Sequence, residues 1–334
     1  MNGLGNDFVV VQPGPDVFDP TPDQARAIAD RIDGIGCDQL IVLDPSSQAD
    51  IHMRIWNADG SEVNVCGNAA RCVAWLLMRA STKRTARLET GAGILEAFDS
   101  PGSTVTVDMG APGLEWTAIP LAAPMDTLEL DLRVESARGG PSCVSMGNPH
   151  VVFFVDDVRS APVESLGPWL ERHQRFPEGA NVGFAQIVAP DRMRLRVWER
   201  GVGLTRACGT GACAAVVAAS RRGLASRRMV VEMEGGELVI EWREGDDHVL
   251  MNGPVEVEFT GRLPQFEDSA SERSESRGSG DEPVAANDVG YSFETGRLGD
   301  TSSVSDATGW PDSSGFSEPD DLSAAPATDP FRRA

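Results

Sequence analysis

The chain has 334 residues, 41% of them hydrophobic, with 29 basic and 51 acidic side chains and a formal net charge of −22. That charge excludes a nucleic-acid partner, whose phosphates need a basic footprint, and no apolar run approaches the ~18 residues of a membrane span. Six cysteines in a chain of this length do not make a disulfide scaffold, and Met1–Asp7 carries neither a basic region nor an apolar signal core, so a reducing cytoplasm is the expected setting.

In chain order, residues 22–32 are predicted to form a short helix ending at Gly34, followed by strands at 40–44 and 51–56. Residues 67–80 form a helix that is apolar nearly all round, which marks it as buried. A hairpin over 88–96 then leads to a strand at 104–109. Further on, Met193–Val197 alternates apolar and polar residues, as a strand with one buried face does. A second apolar helix covers 209–220, and a second hairpin, 229–242, turns at Gly235-Gly236. The expected architecture is α/β, with two pseudo-symmetric domains. Each is a curved, mostly antiparallel sheet or barrel wrapped around one central helix. The halves are expected at 1–115 and 116–252, with 253–263 returning to the first.

Residues 264–334 carry 15 acidic and 5 basic side chains and are rich in Ser, Gly, Asp and Pro. Their apolar residues have no period, so this tail is expected to be disordered. Tyr291, Phe293, Trp310, Phe316 and Phe331 are read as scattered aromatics rather than docking points. All but one of the basic residues in the chain are arginine, the exception being Lys83. An acidic surface of this kind suits a salt-rich cytoplasm, although compositional bias explains the scarce lysine equally well.

Two stretches 142 residues apart say nearly the same thing. Gly5-Asn6-Asp7-Phe8-Val9-Val10-Val11 is echoed by Gly147-Asn148-Pro149-His150-Val151-Val152-Phe153. Cys66-Gly67-Asn68-Ala69-Ala70 and Cys208-Gly209-Thr210-Gly211-Ala212 stand at the same separation. Self-similarity at a fixed offset marks a duplicated unit, and each copy supplies one cysteine at the start of its apolar helix. The first N–H groups of a helix have no intrahelical partner, and the dipole is positive there. A thiolate at that position is expected to be stabilised, with its pKa below the free value of about 8.5. Gly67, Asn68, Gly209 and Thr210 present free N–H groups, and glycine lets an anion approach the backbone. Two such starts face to face suit proton abstraction beside a carboxylate. One thiolate removes an α-proton, and a thiol on the other face returns one.

The remaining cysteines, Cys37, Cys72, Cys143 and Cys213, read as small core residues. No zinc site is expected, because neither Cys66/Cys72 nor Cys208/Cys213 has ligand spacing and paired histidines are lacking. His173 and His248 read as surface residues, whereas His150 follows Asn148-Pro149 in the repeat and is assigned to the site. Glu199-Arg200 ends a strand nine residues before Cys208, and Asn57 lies nine before Cys66.

These motifs resemble the diaminopimelate epimerase family over about 3–263. Gly3-Leu4-Gly5-Asn6-Asp7-Phe8, Asp33-Gly34-Ile35-Gly36 with Asp38-Gln39, Asn57-Ala58-Asp59-Gly60-Ser61-Glu62, Cys66-Gly67-Asn68, Met146-Gly147-Asn148-Pro149-His150, Asn181-Val182-Gly183-Phe184, Glu199-Arg200-Gly201 and Ala207-Cys208-Gly209-Thr210-Gly211-Ala212 fall in family order. The resemblance implies a cofactor-independent, pyridoxal-free epimerase acting between LL- and meso-diaminopimelate in lysine and peptidoglycan precursor synthesis. It implies Cys66 and Cys208 as acid and base. It gives the N–H groups of Gly67, Asn68, Gly209 and Thr210 the reacting carboxylate, and Asn57, Asn181 and Arg200 the far end of the substrate. Glu199 and His150 fall beside the reacting centre, and Asn6, Gln39 and Asn148 line the pocket. Diaminopimelate is then the small-molecule partner, no metal is implied, and a homodimer is compatible.

Two departures stand out. The family carries a first strand ahead of its Gly-Leu-Gly-Asn-Asp motif, where only Met1 and Asn2 precede Gly3. An upstream start or a missing sheet edge is the expectation. The family's Cys-Gly-Asn-Gly-Ala reads Cys66-Gly67-Asn68-Ala69-Ala70, which adds a methyl near the carboxylate slot. Two other functions fit the same residues. A proline or hydroxyproline racemase would share the fold but would not need the distal clamp at Arg200. A redox-sensing pair would use Cys66 and Cys208 as a reversible disulfide.

Overall fold

A computed structural model describes residues 1–12 and 18–263; the acidic tail expected to be disordered lies outside the described residues. The first half runs β1 (Asn2–Gly3), β2 (Asn6–Val11), α1 (Pro22–Ala29), β3 (Gln39–Asp44), β4 (Ile51–Asn57), β5 (Glu62–Val63), α2 (Gly67–Arg79), β6 (Thr85–Thr90), β7 (Gly93–Ser100) and β8 (Thr104–Asp108). The second half repeats the series as β9 (Ser142–Ser145), β10 (Pro149–Phe154), α3 (Val163–Glu171), β11 (Asn181–Ala189), β12 (Arg192–Glu199), β13 (Gly203–Thr205), α4 (Gly209–Arg221), β14 (Arg228–Met233), β15 (Gly236–Trp242) and β16 (Val249–Pro254).

The strand order is a palindrome, β1-β2-β3-β4-β6-β7-β8-β16-β15-β14-β12-β11-β10-β9, with β5 on β4 and β13 on β12. The mixed sheet uses the same pairings in both halves. β2 and β3 are parallel, as are β10 and β11, and the two hairpins β6–β7 and β14–β15 are antiparallel. Each half is the expected curved sheet around a central helix, and the two join edge to edge into one sheet. β8 and β16, the last strands of the two copies, pair antiparallel with Val107 opposite Met251 and Val105 opposite Gly253. Each of these edges would otherwise expose a row of unpaired N–H and C=O groups, and the duplication offers each one a matching partner. Beyond β16, Glu256 exchanges backbone hydrogen bonds with Asn2 at 2.8 and 3.0 Å.

Local chemistry accounts for the elements. In α1, Thr21 and Gln24 form a capping box, with Gln24 N donating to Thr21 Oγ1 at 3.2 Å and Thr21 N to Gln24 Oε1 at 2.8 Å. The helix stops at Ala29, short of the expected Ile32. The Asp30 carboxylate accepts from the N–H groups of Ile32 at 2.7 Å and Asp33 at 2.9 Å, so a side-chain turn competes with the helix. Strand β12 alternates as its sequence requires, with Met193, Leu195 and Val197 buried. The apolar helices α2 and α4 lie inside one core that runs across both halves, from Phe8 and Val73 to Val216 and Met251. Separate smaller cores lie under α1 and between α3 and the β10–β11 pair. Among the described residues no helix is long and apolar enough to cross a membrane.

Met251 is fully buried at the seam. Met251→Ala is expected to cost about 2–5 kcal/mol of stability through the cavity it leaves; urea denaturation with an unchanged m-value checks this.

Candidate active site

The two cysteines cap the two central helices in matching backbone conformations. Cys66 has φ −142° and ψ 113°, and Cys208 has φ −128° and ψ 107°. The first helical hydrogen bonds are Ala70 N to Cys66 O and Ala212 N to Cys208 O, each 2.9 Å. The N–H groups of Gly67, Asn68, Gly209 and Thr210 therefore precede the ladder. Both helix starts press on Met251. A Cβ on Gly67 would stand 2.6 Å from its Cε, and one on Gly209 2.9 Å from its Sδ. That second Cβ would also lie 3.2 Å from Asn68 Oδ1. Glycine at both positions leaves room for this approach of the positive ends of α2 and α4 without displacing Met251.

The 142-residue offset maps the remaining site residues onto one another: Asn6 onto Asn148, Gln39 onto Asn181, Asn57 onto Glu199 and Asn68 onto Thr210. The contacts follow the same map. Asn68 Nδ2 donates to Asn6 Oδ1 at 2.8 Å, and Asn148 Nδ2 to Thr210 Oγ1 at 3.4 Å. Gln39 Nε2 donates to Asn57 Oδ1 at 2.9 Å, across the β3–β4 pair. Asn181 Nδ2 donates to Pro149 O at 3.0 Å and its Oδ1 accepts from Arg200 N at 2.9 Å. The strands thus carry Asn6, Gln39, Asn57, Asn181 and Glu199, and the helix caps carry Cys66 and Cys208. The Arg200 side chain is exposed, and its Nη1 donates to Glu178 O at 2.9 Å. Ala69 is fully buried in α2, its methyl within the core.

The electrostatics reverse one expectation. Burial pushes the Cys66 thiol up to about 11, against the smaller opposing pull of the Ala69 N–H, and the Glu199 carboxylate adds to the rise. Cys208, 4% exposed, is raised well above its ordinary value by burial and then by Glu199; the Thr210 hydroxyl and Gly211 N–H, the latter 3.4 Å from its sulfur, act the other way. The helix starts do favour the thiolates, but removal from water outweighs them. Glu199 is itself raised by burial, opposed by the Thr205 hydroxyl, which donates to Oε1 at 2.5 Å.

His150 is buried, with Nε2 2.9 Å from Asn148 Oδ1, so the neutral ring in its Nε2–H tautomer donates there. Burial, helped by Arg200, lowers its pKa to about 3. Cys37, Cys72, Cys143 and Cys213 are buried and unbonded, as core residues are. His173 and His248 are half-buried; His173 lines a cavity together with Arg200, and His248 Nδ1 lies 2.9 Å from Asp108 Oδ1. Among the described residues no three His, Cys, Asp or Glu side chains group as metal ligands. Sequence reasoning missed Met251, Arg71 and Arg31. Arg31 bridges Asp7 and Asp38 at 2.8 Å each, and Asp38 in turn accepts from Asn6 Nδ2 at 3.4 Å.

The diaminopimelate epimerase family profile matches residues 1–115 and 142–258. A diaminopimelate epimerase of Phenylobacterium zucineum is 60% identical over 267 residues, 79% of this chain and 96% of the relative. One from Caulobacter vibrioides is 54% identical over 282 residues, covering 80% and 96%. The chain belongs to the diaminopimelate epimerase family. Two solved structures share its fold at low identity. A probable proline racemase from Agrobacterium radiobacter is 18% identical over 81% of this chain and 92% of its own, with a TM-score of 0.55. A PhzF-family phenazine biosynthesis protein from Enterococcus faecalis is 14% identical over 75% and 89%, with a TM-score of 0.51. Both the family profile and these neighbours agree with the expected α/β fold. The family's residue pattern also spans both cysteine motifs.

Because His150 is neutral in the folded chain down to about pH 3 and an unfolded histidine binds a proton below about pH 6.5, its burial lowers stability as pH falls from 6.5 toward 3. In His150→Gln that component disappears, and the loss of stability between pH 6.5 and 4.5 is expected to be shallower than in the parent, by denaturant titration at both pH values.

Proposed function

We propose that the protein interconverts LL- and meso-diaminopimelate by thiolate/thiol proton transfer at the α-carbon, with Cys66 and Cys208 on opposite faces of the substrate. The observation that carries this reading is the meeting of two cysteine-capped helix starts at Met251. In the forward step one thiolate sulfur takes the α-proton, and the C–H electron pair moves into the adjacent carboxylate as an enediolate. The opposite thiol then gives its proton to the other face of that carbon. The sulfur roles are exchanged at the end, and reversing the direction reverses them. No cofactor enters, because both proton-transfer groups belong to the chain.

The α-proton of an amino acid is a very weak acid, so the enediolate needs preorganised dipoles in a dry site. The N–H groups of Gly67, Asn68, Gly209 and Thr210, which lie ahead of the helical ladder, supply them from two sides. Desolvation serves the same end. A thiol raised to about 11 gives a stronger base once ionised. Glu199 and His150 border the reacting centre, and Asn6, Gln39 and Asn148 shape its walls. Asn57, Asn181 and Arg200 hold the distal amino-acid end, where the guanidinium fork suits a carboxylate. Working thiols require a reducing cytoplasm. The net charge of −22 supports a protein that keeps its solubility in concentrated salt.

The test uses reduced full-length protein and LL-diaminopimelate in deuterated water. Meso product should carry one α-deuterium, and either Cys66→Ala or Cys208→Ala should abolish inversion; inversion surviving in both single variants would sink the two-base mechanism. Arg200→Ala is expected to lower kcat/KM by roughly 10–100-fold, the loss of a charged hydrogen-bonding partner, mainly through KM in steady-state assays.

A further inference from the structure

Three buried side-chain atoms among the described residues have no hydrogen-bond partner: Asn68 Oδ1, Arg71 Nε and Arg71 Nη2. All three belong to the first two turns of α2. Arg71 is 0% exposed. Its one hydrogen bond is weak, from Nη1 to Met251 Sδ at 3.5 Å, and it makes no ion pair among the described residues. The guanidinium packs closely on Gly253, where a Cβ would come within 3.1 Å of Nε and 2.4 Å of Leu238 Cδ2. An arginine keeps its proton in proteins, and an isolated buried cation is costly unless an anion answers it.

The groups that face Arg71 are thiols, Cys72, Cys66 and Cys213, with no carboxylate among them. Cys66 stands five residues before it, about 7.5 Å along the helix axis, and is the one of the three at a helix start. The groups that face Cys66 are Arg71, Glu199 and the N–H groups of Asn68 and Ala69. Cys208 faces Glu199, the Thr210 hydroxyl and the Gly211 N–H. The duplication makes this arrangement informative. Position 71 corresponds to Cys213 in the second copy, and position 199 corresponds to Asn57 in the first. The scaffold is symmetric, but the cation belongs to one copy and the carboxylate to the other.

We infer that Arg71 is a positioning residue for the thiol pair: its unpaired buried charge is answered by the Cys66 thiolate, so that Cys66 ionises before Cys208. This rests on the two-thiol reading. It gives the thiol pair a polarity, with Cys66 as first base and Cys208 as first acid. Burial raises both thiols, and only Cys66 has the Arg71 guanidinium acting against that rise.

The experiment is alkylation of the reduced full-length protein by iodoacetamide across pH, with each cysteine quantified by peptide mass spectrometry. The pH midpoint is read rather than the rate, because Cys66 is more exposed than Cys208. In the parent protein the Cys66 midpoint should lie below that of Cys208 by about one pH unit or more. Arg71→Met should move the Cys66 midpoint up by about a unit and leave Cys208 nearly in place, and Arg71→Lys should recover most of the shift. Equal midpoints in the parent, or a lower one for Cys208, overturn the proposal with no variant needed. So does an unmoved Cys66 midpoint in Arg71→Met that melts cooperatively. Deuterium incorporation into diaminopimelate judges the two-thiol reading separately, so the failure of one is told from the failure of the other.

Discussion

Two helix N-termini are buried against one another, and the rest of the molecule is arranged to keep them there. Each carries the positive end of a helix dipole, so the pair repels, and burial of Gly67, Asn68, Gly209 and Thr210 weakens the screening. Packing supplies the opposing force. The apolar walls of α2 and α4 join one core, Met251 fills the space between the two starts, and Gly67 and Gly209 let them close on it. The positive potential left at the junction is a standing preference for an anion, and the N–H groups around it give that anion hydrogen bonds.

The sheet makes this junction reproducible. Because β8 and β16 pair, the copies are held by backbone hydrogen bonds as well as by side chains. Met251 sits on that seam, opposite Val107, so the register of one strand pair sets the separation of the two helix starts. The same seam carries Gly253, on which Arg71 packs closely. A single strand therefore places the methionine that separates the helices and the glycine against the buried cation.

Much of this was legible in the sequence, because duplication turns one observation into two. The repeat at 142 residues located both cysteines, both helices and the paired Asn6/Asn148, and the hydrophobic period placed β3, β4, β8 and β12 to within two residues, while the hairpin expected at 88–96 falls inside the longer β6–β7 pair, Thr85 to Ser100. The α1 boundary was misread because Asp30 ends the helix with its own side chain, a local competition that apolar spacing does not register. The thiol shifts were misread for a deeper reason. The helix-start stabilisation is visible in Cys-Gly, whereas the desolvation that outweighs it depends on what covers the sulfur. Arg71 did leave a trace, as an arginine in a helix otherwise apolar nearly all round, but nothing in the sequence says whether such a residue escapes to water or stays inside without a partner.

The sequence by itself determined the duplicated unit, the two capped helices and the chemistry their cysteines offer, since these rest on local propensity and a fixed offset. Only the tertiary structure decided that the two copies share one sheet, that Met251 stands between the helix starts 185 residues along the chain from Cys66, and that Arg71 stays buried with two of its nitrogens unpartnered. Those facts concern contacts between residues distant in sequence and the exclusion of water from them, and burial is a property of the packed chain as a whole.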